Sequence, residues 1–413
     1  MRVRAALLDA DLGFIADGVL SWDATGALTE VGAYQGGPVD EDRRGELLTP
    51  GFVDAHVHAP QTRIIGRATG PLLDWLATTT FPEEARFADA GHANDVYARF
   101  TRALVRSGTT AACVYGSSHP TAAGALFSAL DSAGLRAIAG PVWMDEGAPS
   151  PLCVAPEVSR DTVLALRERY AAHPRLSVAV IPRFALSCSS RAMALAGQLA
   201  AEHDLLCTTH LSENLGEVQA VRERFGNDYV DVYADAGMLG RKTVLAHAIH
   251  LTERDWRRLS DGGVIIAHCP DSNAFLGSGT FPWTAARDHG VRVALGSDVA
   301  AGRSFRMGFA AAYTYDNALR DGATLAPIDL FAALTRDASA ALGLPGGRLA
   351  LGRPADVVAW PMPPWADDAD AVLATLLFDA DAPVASATWI SGRRVWTDDG
   401  RPWWSVVREP IAR

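Results

Sequence analysis

Short apolar and β-branched runs, each bounded by turn residues, alternate along most of the chain with longer amphipathic stretches. Such runs are typical of buried strands, and the stretches between them are typical of helices. Strand-like runs lie at 52–58, 110–115, 136–142, 177–181, 206–210, 244–247, 264–268 and 291–298. Helix-like segments include 93–107, 160–173, 191–203, 215–236 and 253–261. This alternation predicts an α/β fold, a parallel (β/α)8 barrel of the TIM type.

Both ends of the chain outside this barrel segment are strand-like. Alternating stretches lie at 18–22, 28–31, 356–360, 387–391 and 394–396, with turn residues at 23–26. Neither end is long enough to bury a core alone, but chain termini often lie close together. We therefore predict one small composite β-sandwich, formed by residues 1–49 and 346–413, beside a barrel domain of residues 50–345. Two separate flaps are the alternative.

Composition narrows the class of protein. Of the 413 residues, 49% are hydrophobic and 21% are charged, and the net charge is -11. No basic cluster is present, which argues against nucleic acid or an anionic membrane as a partner. Residues 1–18 contain no apolar signal-peptide region, and the five cysteines have no Cys-x-x-Cys spacing. These features predict a cytoplasmic protein with reduced thiols.

The candidate metal ligands lie at the ends of predicted strands. His56 and His58 occupy alternate positions of the first strand, so their side chains share one face. His210, His247 and Asp298 close the fifth, sixth and eighth strands. The carboxyl ends of barrel strands meet at one face, where the chemistry of TIM barrels gathers. We predict that His56, His58, His210 and Asp298 bind one Zn²⁺, although Fe²⁺ or Mn²⁺ also suits mixed nitrogen and oxygen ligands.

A second metal ion is not expected. Binuclear barrels of this type often use a carbamylated lysine at the end of the fourth strand as a bridge. The chain has a single lysine, Lys242, and it precedes the sixth strand. A lysine bridge is therefore impossible, and the sequence predicts a mononuclear site.

Three residues near these ligands could move the protons of a hydrolysis. A bound metal ion lowers the pKa of water to roughly 7. We predict that His247 holds this water and that Asp298 takes its proton and passes it to departing ammonia. Glu213, three residues after His210, could protonate a ring nitrogen of the substrate, help that is worth roughly 10²- to 10⁴-fold.

Each of these residues also has a structural alternative. Asp298 could cap the N-terminus of a helix, and His247 could be a core histidine whose hydrogen bonds are satisfied. Glu213 could be a solvated carboxylate in the first turn of a helix. His268 closes the seventh strand and is predicted to be structural, whereas the role of His119 stays open.

The segment Pro50-Gly51-Phe52-Val53-Asp54-Ala55-His56-Val57-His58, taken with His210, His247 and Asp298, resembles the amidohydrolase superfamily. Further segments resemble those of the guanine deaminases within it, in the same order along the chain. They are His58-Ala59-Pro60-Gln61, Leu73-Asp74-Trp75-Leu76, Thr80-Phe81-Pro82-Glu83-Glu84, Pro182-Arg183-Phe184, His210-Leu211-Ser212-Glu213-Asn214, His268-Cys269-Pro270-Asp271-Ser272-Asn273 and Gly296-Ser297-Asp298. The Gln61 and Pro182-Arg183-Phe184 elements are more specific than the metal residues, which many superfamily members share.

This resemblance implies zinc-dependent hydrolytic deamination of guanine to xanthine and ammonia by a homodimer. It implies that Gln61 and Arg183 hydrogen-bond the carbonyl and ring nitrogens of the purine, with Phe184 against the base. His210 would contact the substrate as well as the metal. Residues 72–87 would form a helical cap that excludes water. For Arg183, a salt bridge at the barrel rim is the alternative.

Several departures from the guanine deaminase pattern leave the choice of substrate ring open. Ala248 and Ala301 stand where the resemblance leads us to expect glycine, and Arg303 adds a charge near the mouth. The nearest alternative is a deaminase of a related 2-amino-4-oxo heterocycle, such as 8-oxoguanine or a pterin. A non-catalytic barrel acting as a binding or scaffold protein is a remote alternative, because no predicted ligand is missing. The other zinc deaminase architecture is rejected, since the chain has neither His-x-Glu nor Pro-Cys-x-x-Cys.

Overall fold

The computed structural model describes residues 1–67 and 70–401. Four strands come first, β1 (Arg2–Asp9), β2 (Gly13–Trp22), β3 (Leu28–Ala33) and β4 (Glu41–Pro50). Nine strands follow, β5 (Phe52–His58), β6 (Thr109–Tyr115), β7 (Arg136–Gly140), β8 (Val142–Trp143), β9 (Leu176–Pro182), β10 (Leu206–Leu211), β11 (Thr243–His247), β12 (Ile265–His268) and β13 (Arg292–Leu295). The last strands within the described residues are β14 (Val357–Pro361), β15 (Ala387–Ile390) and β16 (Arg393–Thr397).

Helices follow most of the strands. Those before β9 are α1 (Leu72–Trp75), α2 (Phe81–Glu84), α3 (Ala90–Arg106), α4 (Pro120–Ser132) and α5 (Pro156–Arg169). Those between β9 and β13 are α6 (Ser190–Glu202), α7 (Leu215–Phe225), α8 (Tyr229–Asp235), α9 (Glu253–Gly262), α10 (Pro270–Phe275) and α11 (Trp283–Asp288). Beyond β13 lie α12 (Met307–Arg320), α13 (Pro327–Leu334), α14 (Arg336–Ala341) and α15 (Ala369–Leu377).

Eight parallel strands of the described chain form the barrel, in the order β5-β6-β7-β9-β10-β11-β12-β13, while the short β8 pairs with β9. The barrel closes between its first strand and the segment that follows its last. There the Asp298 N–H donates to the His56 carbonyl at 2.9 Å, and the His58 N–H donates to the Val299 carbonyl at 3.2 Å. The barrel strands are almost wholly buried, because helices cover their outer faces.

The two chain ends build a separate seven-stranded sheet, in the order β16-β15-β14-β4-β1-β2-β3. Strand β4 lies parallel to β1 and antiparallel to β14, so it joins the N-terminal strands to the C-terminal ones. The rings of Trp22 and Trp389 meet edge to face in this sheet, with their centroids 5.8 Å apart. The predicted barrel with a separate β unit formed by both ends is confirmed, and two separate flaps are excluded.

The domain limits themselves stay a prediction. We propose the division into residues 1–49 with 346–413 and residues 50–345, because apolar residues of both chain ends pack into a cluster of their own on the terminal sheet. Residues 402–413 of the predicted composite domain, and residues 68–69 of the barrel domain, lie outside the described residues.

Three predicted elements differ in detail from the structure. The helix predicted over 215–236 is two helices, α7 and α8, because Gly226 ends α7 in the left-handed region at a φ of 67°. The strand predicted over 136–142 breaks after Gly140 into β7 and β8. The strand predicted over 291–298 ends at Leu295, and Asp298 lies beyond it with a φ of 48°.

The predicted cap over 72–87 is a continuous helical segment of mixed geometry. It consists of α1, a π-type turn (Leu76–Thr80), α2 and a 3₁₀ turn (Ala85–Ala88).

None of the helices in the described part of the chain combines the length and apolar content that crossing a membrane would require.

A buried ion pair joins the barrel to the terminal sheet. The Arg136 guanidinium at the start of β7 donates to Asp356 at 3.0 Å, and both side chains are buried. The same carboxylate accepts the Ser391 N–H at 2.8 Å, while the Asp356 carbonyl accepts the Gly51 N–H at 2.9 Å. Gly51 must be glycine, because a Cβ there would lie 2.1 Å from the side chain of Thr110.

We expect Asp356→Ala to lower the free energy of unfolding by about 3–5 kcal/mol, because Arg136 would be left as an unpaired buried charge. Urea unfolding followed by circular dichroism measures this change. Asp42→Ala is the matched control, since Asp42 pairs with Arg44 on the surface and should contribute less than about 1 kcal/mol. Equal effects of the two substitutions would contradict the assignment of Asp356 as the junction.

Candidate metal and substrate site

The candidate ligands meet at the carboxyl end of the barrel, beside the closure. His56 and His58 point the same way from β5, and their Nε2 atoms lie 3.3 and 3.4 Å from Asp298 Oδ1. His210 near the end of β10 brings its Nε2 to 3.1 Å from His58 Nε2. The ligand atoms of these four residues all lie within 4.8 Å of one another. The structure therefore brings together the four residues that the sequence predicted to be ligands.

The nitrogen chemistry of this group fits a divalent metal. The Nδ1–H of His210 donates to the Arg183 carbonyl at 2.6 Å, which leaves Nε2 unprotonated and facing the other ligands. His56 Nε2 is buried and faces the Asp298 carboxylate at 3.3 Å. Burial, with the charges of neighbouring histidines, lowers the pKa of His58 and of His210 well below 6.5. Neutral imidazoles of this kind are the form that binds metal ions.

Cys269 also lies near these atoms, in a group with His56, His247 and Asp298. Burial, together with the charge of Asp298, raises the pKa of the Cys269 thiol well above 9. A protonated thiol is a poor ligand. The structure thus favours the three histidines with Asp298, and Cys269 keeps the predicted role of a reduced core thiol.

Asp298 does not cap a helix, because the next helix, α12, begins at Met307 and its N-cap residue is Arg306. Its backbone has a φ of 48°, which is unusual for a residue other than glycine. Burial alone would raise the pKa of Asp298, but its hydrogen bond to His56 and the charges of His56, His247 and His58 lower it below the ordinary range. The carboxylate is therefore ionised and close to every imidazole of the site.

His247 is held by a residue to which sequence reasoning gave no role. Its Nδ1–H donates to Asn273 Oδ1 at 2.8 Å, so Nε2 is left to accept a hydrogen bond. That Nε2 lies 3.4 Å from Glu213 Oε2 and 3.8 Å from Asp298 Oδ2. Ala248 follows with a φ of 53°, which explains why glycine is expected at this position.

Glu213 is buried, so a solvated carboxylate does not describe it. It lies between β10 and α7, and the Ser278 hydroxyl donates to its Oε1 at 3.2 Å. Burial raises the pKa of Glu213 well above 4.5, and the charges of Asp298 and Glu217 add to this effect. A carboxyl group with a raised pKa can act as an acid near neutral pH.

A cavity adjoins the ligand group. Its lining includes His58, His210, Asp298 and Glu213, together with Gln61, Arg183 and Phe184. Apolar side chains of the cap, Leu72, Trp75 and Leu76, contribute to the wall. The Trp75 indole N–H is buried and has no partner among the described residues.

Arg183 forms an ion pair, but a buried one within the cavity wall. Its Nη1 donates to Glu84 Oε2 at 2.5 Å, and the Gln61 amide donates to Glu84 Oε1 at 3.0 Å. The predicted alternative, a salt bridge at the barrel rim, is therefore right about a pairing but wrong about its exposure. The sequence pattern assigned no role to Glu84, which ends the segment Thr80-Phe81-Pro82-Glu83-Glu84.

Arg303 and His119 each contact neighbouring side chains away from the cavity wall. Arg303 donates to Asp271 at 2.9 Å through Nε, and its guanidinium lies over Phe275, 4.8 Å from the ring centroid. His119 precedes α4, and its Nδ1 lies 2.9 Å from the Ser117 hydroxyl. Neither residue is a wall residue of the cavity.

A family model described as the amidohydrolase family matches residues 47–395. The chain belongs to this family. The family is metal-dependent, in agreement with the ligand group at the end of the barrel.

Several similar proteins are named guanine deaminases. The chain is 39% identical over 322 residues to the guanine deaminase of Escherichia coli, covering 77% of this chain and 73% of that protein. It is 36% identical to a probable guanine deaminase of Deinococcus radiodurans, covering 93% of this chain and 92% of that protein. A solved structure of the E. coli guanine deaminase superposes with a TM-score of 0.90 at 34% identity, covering 96% of this chain and 100% of that one.

His268 gives the site region a measurable acid sensitivity. Its ring stacks on Phe281 with centroids 4.6 Å apart, and neither ring nitrogen has a partner among the described residues. Burial, with a smaller effect of the His247 charge, lowers the pKa of His268 from 6.5 to about 3. The unfolded chain therefore binds an extra proton between these pH values, and the folded state loses stability as the pH falls through this window.

We expect His268→Leu to remove this acid-dependent loss. Between pH 7 and pH 5 the wild-type protein should lose about 2 kcal/mol more stability than the variant, because the unfolded histidine titrates and the folded one does not. Urea unfolding at the two pH values measures the difference. His173→Leu is the control, since that histidine is partly exposed and pairs with Asp131. Parallel pH profiles of wild type and His268→Leu would contradict the prediction.

Proposed function

We propose that this protein catalyses the metal-dependent hydrolytic deamination of guanine to xanthine and ammonia. The observation that carries the proposal is one cavity at which a His₃Asp ligand group, the Glu213 carboxyl group and the side chains of Arg183 and Gln61 adjoin. Guanine deaminases among the relatives support the same reaction.

The proposed metal is Zn²⁺, one per subunit, held by His56, His58, His210 and Asp298. When bound, it would supply Lewis acidity that lowers the pKa of water to roughly 7. Three nitrogen donors and one carboxylate suit Zn²⁺, while Fe²⁺ and Mn²⁺ fit the same donor set. Metal analysis of the purified protein distinguishes them.

His247 and Asp298 are proposed to act on the attacking water. Asn273 fixes the His247 ring so that its Nε2 can accept a hydrogen bond from the water. The Asp298 carboxylate, 3.8 Å from that Nε2, would take the proton of the water. The proton would then pass to the amino group, which leaves as ammonia when the carbon–nitrogen bond breaks.

Glu213 is proposed to shuttle the second proton. Because its pKa is raised, the carboxyl group can hold a proton when the substrate arrives. It would protonate the ring nitrogen beside the reacting carbon as water adds, and would take that proton back when the amino group departs. Water and guanine then balance xanthine and ammonia without a further reactant.

Gln61, Arg183 and Phe184 are proposed to orient the base. The guanidinium and the amide would donate to the purine carbonyl and to ring nitrogens, and Phe184 would pack against the base. His210 would contact the substrate beside the metal. The cap helices, with their apolar side chains in the wall, would keep bulk water out.

Two wider proposals accompany this function. The resemblance to guanine deaminases implies a homodimer, which light scattering of the purified protein tests. All five cysteines are free and four are buried, which supports the proposal of a cytoplasmic location.

Ammonia release from a panel of heterocycles tests the function. Zinc-replete protein is given guanine, 8-oxoguanine, a 2-amino-4-oxopteridine, adenine and cytosine. We expect guanine to have the highest kcat/KM, because its polar edge meets the Arg183 and Gln61 donors. Preference for 8-oxoguanine or the pteridine would keep the chemistry and replace the substrate. No release from any compound would overturn the proposed activity.

We expect Glu213→Gln to lower kcat by about 10²- to 10⁴-fold with unchanged metal content, because an amide cannot shuttle a proton. Steady-state kinetics and metal analysis measure the two quantities. Glu223→Gln is the matched control on α7, since Glu223 is exposed and should leave kcat unchanged. Near-normal turnover of Glu213→Gln would remove this residue from the mechanism.

A further inference from the structure

We propose that Glu84 is a positioning residue that sets the substrate specificity of this site. Its carboxylate orients Gln61 and Arg183 so that their free groups face the cavity mainly as N–H donors. Such a wall selects a heterocycle edge made of acceptors. This inference rests on the proposed function, which it deepens.

A single carboxylate joins three separate parts of the barrel mouth. Glu84 lies on α2 of the cap, Gln61 follows β5, and Arg183 follows β9. Glu84 Oε1 accepts from Gln61 Nε2 at 3.0 Å, and Oε2 accepts from Arg183 Nη1 at 2.5 Å. All three side chains are at most 3% exposed. Hydrogen bonds to charged groups in such dry surroundings are the strong ones.

The orientation of the Gln61 amide follows from its two partners. The Ala300 N–H lies 3.1 Å from Gln61 Oε1 and can only donate, so its partner must be the amide oxygen. The Glu84 carboxylate at the other side can only accept when ionised, so its partner must be the NH₂ group. A flipped amide would place donor against donor and acceptor against acceptor.

The groups that remain free are mostly donors. The Gln61 NH₂ keeps one N–H, since Glu84 takes the other. The Arg183 guanidinium has five N–H groups, and its one hydrogen bond to another described side chain is the one to Glu84. A ligand carbonyl or an unprotonated ring nitrogen satisfies such donors. An amino group at the same place leaves buried polar groups unpaired and is rejected.

Glu83, the preceding residue, carries the same charge as Glu84 but has different partners. Glu83 is also buried, but it pairs with Arg86 at 3.0 Å and lies 3.1 Å from His92 Nε2. It therefore ties the cap to α3, whereas Glu84 contacts the wall residues Gln61 and Arg183. The two adjacent carboxylates therefore contact different groups, and Glu83 serves as a matched control for Glu84.

The test compares guanine with 2,6-diaminopurine, in which an amino group replaces the ring carbonyl. kcat/KM is measured for both compounds with zinc-replete wild type, Glu84→Gln and Glu83→Gln. We expect Glu84→Gln to lower the guanine to 2,6-diaminopurine ratio by at least about 10-fold, chiefly through KM for guanine, because one lost buried hydrogen bond has this size. Metal content should stay unchanged. Glu83→Gln should lower Tm and keep the wild-type ratio.

Each other outcome also decides the matter. A folded, metal-replete Glu84→Gln protein with the wild-type ratio would overturn the proposal. If that variant does not fold, Glu84→Asp replaces it, because aspartate keeps the charge but is too short to reach both partners. A wild-type ratio in Glu84→Asp, or failure of both variants to fold, would show a purely structural residue.

Failure of the proposed function can be distinguished from failure of this inference. Wild-type protein that releases no ammonia from guanine would overturn the function alone. The specificity ratio is then taken from dissociation constants for the same two compounds, measured by calorimetry. Equal binding of both compounds by wild type and Glu84→Gln would overturn the role of Glu84.

Discussion

The closure of the barrel is the interaction on which the site depends. Two backbone hydrogen bonds join β5 to the segment after β13, from the Asp298 N–H to the His56 carbonyl and from the His58 N–H to the Val299 carbonyl. They complete the barrel and, in doing so, set the Asp298 carboxylate beside two imidazoles. Asp298 and His247 both adopt positive φ values, 48° and 71°, which cost on the order of 1–3 kcal/mol each. The surrounding barrel has to hold these backbones in place.

Neighbouring groups separate the chemistry of the two buried carboxyl groups. Glu213 and Asp298 both approach His247, yet the pKa of Glu213 is raised and that of Asp298 is lowered. Burial raises the pKa of both groups, but Asp298 contacts several imidazoles, whereas the Glu213 carboxyl group faces the charges of Asp298 and Glu217. Opposite shifts in one cavity are typical of an acid and a base that work as a pair. Glu84 is also a buried carboxylate, and it orients the hydrogen-bond donors of Gln61 and Arg183.

Much of this arrangement could be predicted from local patterns. The eight strands were visible as apolar runs, and His56 and His58 share a face because side chains alternate along a strand. His210, His247 and Asp298 could be placed at one end of the barrel because parallel strands all end there. The break between α7 and α8 was missed, since an amphipathic pattern runs through Gly226 and only its left-handed backbone shows the end of the helix. Asn273 was missed because its partner His247 lies 26 residues away on another strand end.

The order of the strands, the residue types of the metal site and the absence of a bridging lysine follow from the chain itself, because they depend on spacing and composition. The tertiary structure alone decided the 3.0 Å contact between Gln61 and Glu84, the direction of the Gln61 amide and the raised pKa of Glu213. Each of these properties depends on groups that are distant from one another in the sequence. Desolvation and hydrogen bonding act between groups that are close in space. Their effects on these residues are therefore set only when the barrel has closed and the cap lies over its mouth.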